Sequence, residues 1–310
     1  MKKAFIQLHI AVFLAGFTGV LGRLISLNEA LLVWYRLIIT CAALWILYGI
    51  RKKGRLPARS KMLKAAGIGC ILVLHWVSFY AGIKYATIST TLVCFSAIGF
   101  FTAILEPLLL GKRFDLIEIL LGLLVICGIS IVFHFDPHYK TGIIISLISA
   151  LFASIFPVLN RGLLQTMEVE PATRYQLSGG LLFLSLCLPF YLHFFPSAAL
   201  FPSLTDWLWL LVLALICTVL AYTLSMSALQ KIPAFTVNLT YNLEPIYGIA
   251  LAFLIYREDK SVSKGFYYGL ALIVTAIILQ MVRLRQISNK KSSGSFGGNI
   301  TDKTSLGHGQ

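Results

Sequence analysis

N-L-T-Y-N-L-E-P-I-Y-G-I-A-L-A-F-L-I-Y-R-E, residues 238–258, is a membrane-length stretch whose first half carries amides, hydroxyls and a carboxylate. An ionisable side chain at the centre of a bilayer costs roughly 2.5–3.5 kcal/mol on insertion scales, so a chain that keeps one there has a use for it. Glu244 lies about ten residues in from the start of this apolar segment near Ala234, which at roughly 1.5 Å per residue places it close to the midplane of a roughly 30 Å hydrocarbon core. Pro245 follows directly, frees a carbonyl one turn back and disfavours a straight helix. On a helical wheel Asn238, Tyr241, Asn242, Pro245 and Gly248 share one arc, with Thr240, Glu244 and Tyr247 beside it. Such arcs suit either a solvated cavity or a polar contact that holds helices together.

The rest of the chain fits this membrane setting. Of 310 residues, 58% are hydrophobic and only 12% charged, with mean hydropathy +0.85, where a soluble domain carries about a quarter charged residues. Ten apolar windows can be marked, at 4–22, 28–50, 63–83, 86–110, 115–134, 141–163, 172–195, 205–229, 234–256 and 264–283. They leave almost no chain for a soluble domain. No A-x-A-like site follows the first window, which is read as a span and not as a cleaved signal. The expected fold is therefore an all-α membrane protein with ten transmembrane helices.

The net charge of +14 could point to nucleic acid, but its distribution points elsewhere. With the N-terminus inside, most Lys and Arg fall on the cytoplasmic side, including the 51–64 loop. Arg23, Lys84, Lys140, Arg257, Lys260 and Lys264 fall outside, and Arg36 lies within a span. That is the positive-inside pattern, so both termini are expected in the cytoplasm and no nucleic-acid partner is expected. The six cysteines all lie in apolar windows without a C-x-x-C pair, so neither a disulfide framework nor a zinc site is indicated. Around 134–138 two histidines flank an aspartate, but Pro137 spoils a helical ligand pair and no metal is expected. No cofactor is indicated either.

Two halves can be aligned. A-G-F-T-G-V-L-G-R at 15–23 matches A-S-I-F-P-V-L-N-R at 153–161 without gaps. Tyr35 and Arg36 then stand opposite Tyr175 and Gln176, residues 81–86 face 227–232, and Gly99 faces Pro245. Five spans per half is an odd number, so the second copy enters from the opposite side as an inverted five-helix repeat. The expected division is 1–137, 138–283 and a disordered cytoplasmic tail at 284–310. Inverted repeats recur in secondary transporters, which bind near the midplane where the repeats meet.

Other polar residues have two readings each. Gly16, Gly19 and Gly22 form a small-residue stripe that suits close helix packing, with a cavity-lining bend as the alternative. Arg36 cannot shed its charge and must snorkel, pair or face water, which leaves a structural ion pair or recognition of an anion. His75 and Phe79 share one face of the third window, and Trp76 and Tyr80 the next. The latter two sit deep for interfacial belt residues and suit a cavity wall. Thr90, Thr91 and Ser96 can bond back to their own helix.

The N-L-E-P run at 242–245, the thirteen residues from Pro245 to Glu258, the A-L-x-K-I-P run at 228–233 and the W-Y-R triplet at 34–36 together resemble EamA-domain transporters of the drug/metabolite transporter superfamily. The resemblance covers nearly the whole chain apart from the tail. Gly99 stands where the first repeat usually has proline, which weakens the case for a bend in the fourth span like that in the ninth. Lys112 stands where the family often has glutamate. The resemblance implies ten helices around a central cavity and, often, export of amino acids or other small metabolites across a bacterial inner membrane. The expected partners are a small-molecule substrate and the bilayer, and a homodimer stays open. The expected substrate-binding residues are Trp76, Tyr80, Tyr222, Asn238, Tyr241, Asn242 and Glu244. Glu244 is the favoured coupling group or contact for a substrate amine, and Arg36 and His75 are the further candidates for coupling or charge pairing. A membrane-embedded enzyme acting on lipid-linked substrates is the alternative, and the 134–138 loop is the one stretch that comes near its needs.

Overall fold

In lipid every backbone N–H and C=O has to be satisfied within the chain, so apolar windows of this length form helices. The computed structural model describes residues 2–51, 57–111, 113–135, 137–229, 240–241 and 243–297. Asn238 and Asn242 lie outside these residues. The helices are α1 (Lys2–Leu24), α2 (Glu29–Arg51), α3 (Arg59–Tyr85), α4 (Ile88–Phe95), α5 (Ile98–Leu110), α6 (Leu116–Phe135), α7 (Lys140–Leu164) and α8 (Val169–Phe194). They continue as α9 (Leu204–Leu211), a π-helical segment (Val212–Leu220), α10 (Ala221–Leu229), α11 (Glu244–Tyr256) and α12 (Lys264–Gly297). Among the described residues nine helical stretches are long and apolar enough to cross a membrane, and α11 is a shorter apolar helix.

Local chemistry sets several of the ends. Asn28 accepts the Ala30 N–H at 2.9 Å before α2, and Thr87 accepts the Thr90 N–H at 3.0 Å at the start of α4. Ser203 and Asp206 form a reciprocal capping box on α9. Gly111 ends α5 in the left-handed region at φ 63°. Arg257 ends α11 at φ 54°, a conformation rarely adopted by a residue with a side chain.

The fourth span is interrupted at Ser96 and Ala97, between α4 and α5, although no proline is there. The Ser96 N–H is shared between the Leu92 and Val93 carbonyls, each at 3.2 Å, and this loosens the helical ladder. Pro245 lies in the first turn of α11, where its missing N–H is harmless, and does not kink a helix interior. At 1.5 Å per residue the thirteen residues of α11 reach about 20 Å, which falls short of a full crossing. Helix α12 continues past Arg283 to Gly297, into the stretch expected to form a tail.

The core runs through α3, which packs on α7 along one side and α8 along the other. A Cβ at Gly69 would overlap the Gln176 backbone, so the α3–α8 approach depends on glycine there. Gly128 and Gly269 bring α6 and α12 together in the same way. The α1 stripe is a set of contact points within a continuous helix. Gly16 faces the backbone of Glu244 and Gly248, Gly19 faces Ile88, and Gly22 supports the ring of Tyr80. Large apolar side chains such as Phe190, Leu182 and Leu120 point outward from α8 and α6, as contact with lipid requires.

Candidate functional site

Helix α2 carries Arg36 seven residues past Glu29, about 10 Å along the helix at 1.5 Å per residue, and its side chain is only 4% exposed. Its Nε donates to Thr218 Oγ1 at 2.9 Å and its Nη1 to the Tyr80 hydroxyl at 3.0 Å. The guanidinium lies 3.8 Å from the centre of the Trp76 ring. Among the described residues no carboxylate pairs with it. Thr18 on α1 also lies beside Tyr80. Thr218 is available to Arg36 because the segment around it is π-helical: its hydroxyl donates to the Leu213 carbonyl, five residues back, at 2.8 Å, while accepting from Arg36. Such segments often mark functional positions. One turn from Tyr80, His75 has Nδ1 2.9 Å from Ser149 Oγ on α7 and stacks on Phe95.

A second polar cluster is built from the other half of the chain. Gln176 on α8 donates to Asn160 on α7 at 2.8 Å, and both are buried. Tyr222 on α10 lies beside Thr173 and Asn160. Tyr241 sits beside Ser225, Tyr222 and Glu244. Glu244 opens α11 against α1, and among the described residues its carboxylate accepts no hydrogen bond.

The sequence-derived candidates thus fall into two groups: Arg36, His75, Trp76 and Tyr80 in one, and Tyr222, Tyr241 and Glu244 in the other. Thr218, Ser149, Thr18, Asn160 and Gln176 were not among them. Asn160 and Gln176 stand at repeat positions opposite Gly22 and Arg36, which is a signal the sequence does contain. Trp34 and Tyr35 serve packing, donating to Ser185 Oγ at 2.8 Å and to the Leu200 carbonyl at 3.2 Å.

Toward the Arg23 end the bundle is sealed by charged groups. Glu258, 2% exposed, binds Arg23 Nη1 at 2.5 Å and accepts the backbone N–H of Ile88 at 3.1 Å and of Ser89 at 2.8 Å. Arg23 also lies over the Tyr256 ring, whose hydroxyl donates to the Val20 carbonyl. Asp206 accepts from Ser26 N and Oγ, and Glu29 accepts from the Tyr191 hydroxyl. Lys84 donates to the Leu27 carbonyl and stands 4.0 Å from Glu29. A cleft lined by Gly22, Arg23, Ile83, Lys84 and Ala86 opens here.

An all-helical bundle with this many apolar spans and buried polar clusters defines an integral, multi-pass membrane protein. The model of the EamA-like transporter family matches residues 2–134 and 140–282, and the chain belongs to that family. It is 23% identical over 301 residues to the "Uncharacterized transporter YetK" of Bacillus subtilis (strain 168), covering 91% of this chain and 88% of that protein. It is 23% identical over 307 residues to the "Uncharacterized transporter YxxF" of the same organism, covering 95% and 94%. A protein of known crystal structure, 18% identical, superposes with a TM-score of 0.61 over 92% of this chain and 99% of its own, which speaks for the fold.

Proposed function

We propose that this protein is a secondary active transporter that exports amino acids or other small metabolites by alternating access of two inverted five-helix halves. The observation that carries the reading is the pattern of helix contacts. Exchanging the halves maps α3–α7 onto α10–α1, α3–α8 onto the π segment with α2, and the α4 and α5 contacts with α7 onto α11–α1, while α2–α8, α4–α11 and α6–α12 map onto themselves. The helix starts agree with this, since α5 begins at Ile98 and α11 at Glu244, equivalent positions in the alignment that sets Gly99 against Pro245. Discontinuous helices meeting between two halves are the usual frame of a transport site. The polar clusters of Arg36 and Glu244 draw on both halves, as in the Arg36–Thr218 bond, and supply the hydrogen-bonding groups. The distribution of Lys and Arg supports an orientation with both termini in the cytoplasm. The enzyme alternative gains no support from the family.

The test is counterflow into proteoliposomes with a mixed panel of amino acids, nucleosides, sugars and polyamines, read by mass spectrometry. Accumulation of one class above protein-free liposomes is expected. Glu244→Gln is expected to alter both the transport rate and its pH dependence, and an unchanged profile removes Glu244 from the coupling role. If folded protein accumulates nothing, the transporter reading fails.

A further inference from the structure

We infer that Arg36 is the contact for a carboxylate group of the transported molecule, an inference that rests on the transporter reading and names the substrate class. Arginine keeps its charge in proteins and offers five N–H donors, of which the described residues use two, one at Thr218 and one at Tyr80. Among the described residues every group that meets the guanidinium is neutral, and the side chain is all but fully enclosed. A buried cation without a counter-ion is expensive. The molecule therefore carries a standing demand for one negative charge at this point.

The acidic groups nearest in the sealed end cannot meet that demand. Glu29 is engaged by Tyr191 and Lys84, Asp206 by Ser26 and Ser203, and Glu258 by Arg23 and the start of α4. The internal repeat gives an independent argument. The residue opposite Arg36 is Gln176, a neutral amide that is satisfied by Asn160. The same helix position therefore works structurally without a charge, and the charge on α2 is surplus to the fold.

Geometry and charge select the ligand group. Trp76 covers one face of the guanidinium at 3.8 Å, so the unoccupied donors lie in the plane of the fork, the direction from which a planar carboxylate binds with two parallel hydrogen bonds. One cation matches one negative charge. A phosphate monoester, which carries nearly two, would need a second cation, and both Arg23 and Lys84 are already paired.

The experiment uses the full chain in proteoliposomes and offers compounds in matched pairs: L-leucine with L-leucinamide, L-phenylalanine with L-phenylalaninamide, phenylacetate with phenylacetamide, and glycerol 3-phosphate as the phosphate arm. Counterflow is read by mass spectrometry, and binding by quenching of tryptophan fluorescence, since Trp76 lies against the guanidinium. Acids are expected to exceed their amides by at least tenfold in at least one pair in wild type. In Arg36→Gln, which copies the residue found at the equivalent position, that preference is expected to vanish, and in Arg36→Lys to shrink. The wild-type comparison decides by itself if the variants do not fold. Equal handling of acids and amides, preference for glycerol 3-phosphate, or a preference that survives in Arg36→Gln overturns the inference. Acid-selective quenching without counterflow leaves the carboxylate site standing and refutes transport. Transport of uncharged compounds alone does the reverse, and neither signal removes both.

Discussion

Replacing Glu258 by alanine tests what the sealed end is for. The carboxylate makes three contacts: one to Arg23 at 2.5 Å and two to backbone N–H groups that begin α4. Its loss removes the equivalent of an N-cap, about 1 kcal/mol, and the interaction of a negative charge with the helix N-terminus, about 0.3–1 kcal/mol. The buried N–H groups of Ile88 and Ser89 are left unsatisfied, which adds about 1 kcal/mol or more. The ion pair adds little, because Arg23 is 45% exposed and such pairs are worth about 0–1 kcal/mol. The sum is about 3 kcal/mol for Glu258→Ala. Arg23→Ala loses the half-exposed pair and the stacking on Tyr256, about 1 kcal/mol together. Glu258→Gln keeps an acceptor and falls between them. Unfolding of purified protein in mixed micelles, followed by tryptophan fluorescence, gives the order. If Arg23→Ala costs as much as Glu258→Ala, Glu258 is an ion-pair partner first and the helix-capping argument is wrong.

Gly69→Ala is expected to lower stability by about 3 kcal/mol or more, because the new methyl would meet the Gln176 backbone, whereas Gly67→Ala, with open space around it, stays neutral or gains up to about 1 kcal/mol. Comparable losses in the two variants in the same micelle assay would refute the close α3–α8 approach. Asp206→Ala removes the capping box of α9 and both bonds from Ser26, for about 2 kcal/mol, and Asp206→Asn about half of that. Asp115 supplies a pH test: burial pushes its carboxyl up, but hydrogen bonds from Arg283, Glu118 and Ile117 outweigh this and hold it below the ordinary carboxylate value. A depressed carboxylate contributes stability that is complete above its unfolded pKa and is lost as pH falls through the folded one, so the loss begins around the ordinary carboxylate range and runs on below it. Arg283→Gln is expected to flatten stability across that window, and an unchanged acid slope would dismiss the pair.

The span layout was legible because apolar length and the demand for internal hydrogen bonding leave little choice. The Gly16, Gly19 and Gly22 stripe was also legible as helix contact, since small residues at that spacing do one thing well in lipid. Trp76 and Tyr80 could be placed on one face of their helix from spacing alone, and Arg36 could be flagged from its charge. What spacing cannot supply is a partner more than 180 residues away, such as Thr218 for Arg36. The segment V-L-A-L-I-C-T-V-L reads as an ordinary apolar helix, and nothing in it announces the wider turn that presents Thr218. The break at Ser96 and Ala97 was obscured for a related reason. Proline was the expected cause, and the chain interrupts the helix there without one. Glu258 entered the reading only as a spacing from Pro245, because its ligands, the Ile88 and Ser89 amides, are backbone groups without a sequence signature.

The π-helical segment at Val212–Leu220 has a consequence for how this protein tolerates loss of chain length. A π turn holds more residues than an α turn, so the segment stores surplus length inside a span. Removing one residue from an α-helix such as α3 rotates everything after it by about 100° and turns its buried face toward lipid. Removing one residue within the π segment instead lets the ladder close as α-helix while α9 and α10 keep their faces. A scan of single-residue deletions, scored by protein retained in the membrane, should show a short permissive island there within an otherwise intolerant bundle. The survivors in that island would still lose the Thr218 hydroxyl from its place against Arg36. They would be well-made proteins with a damaged site.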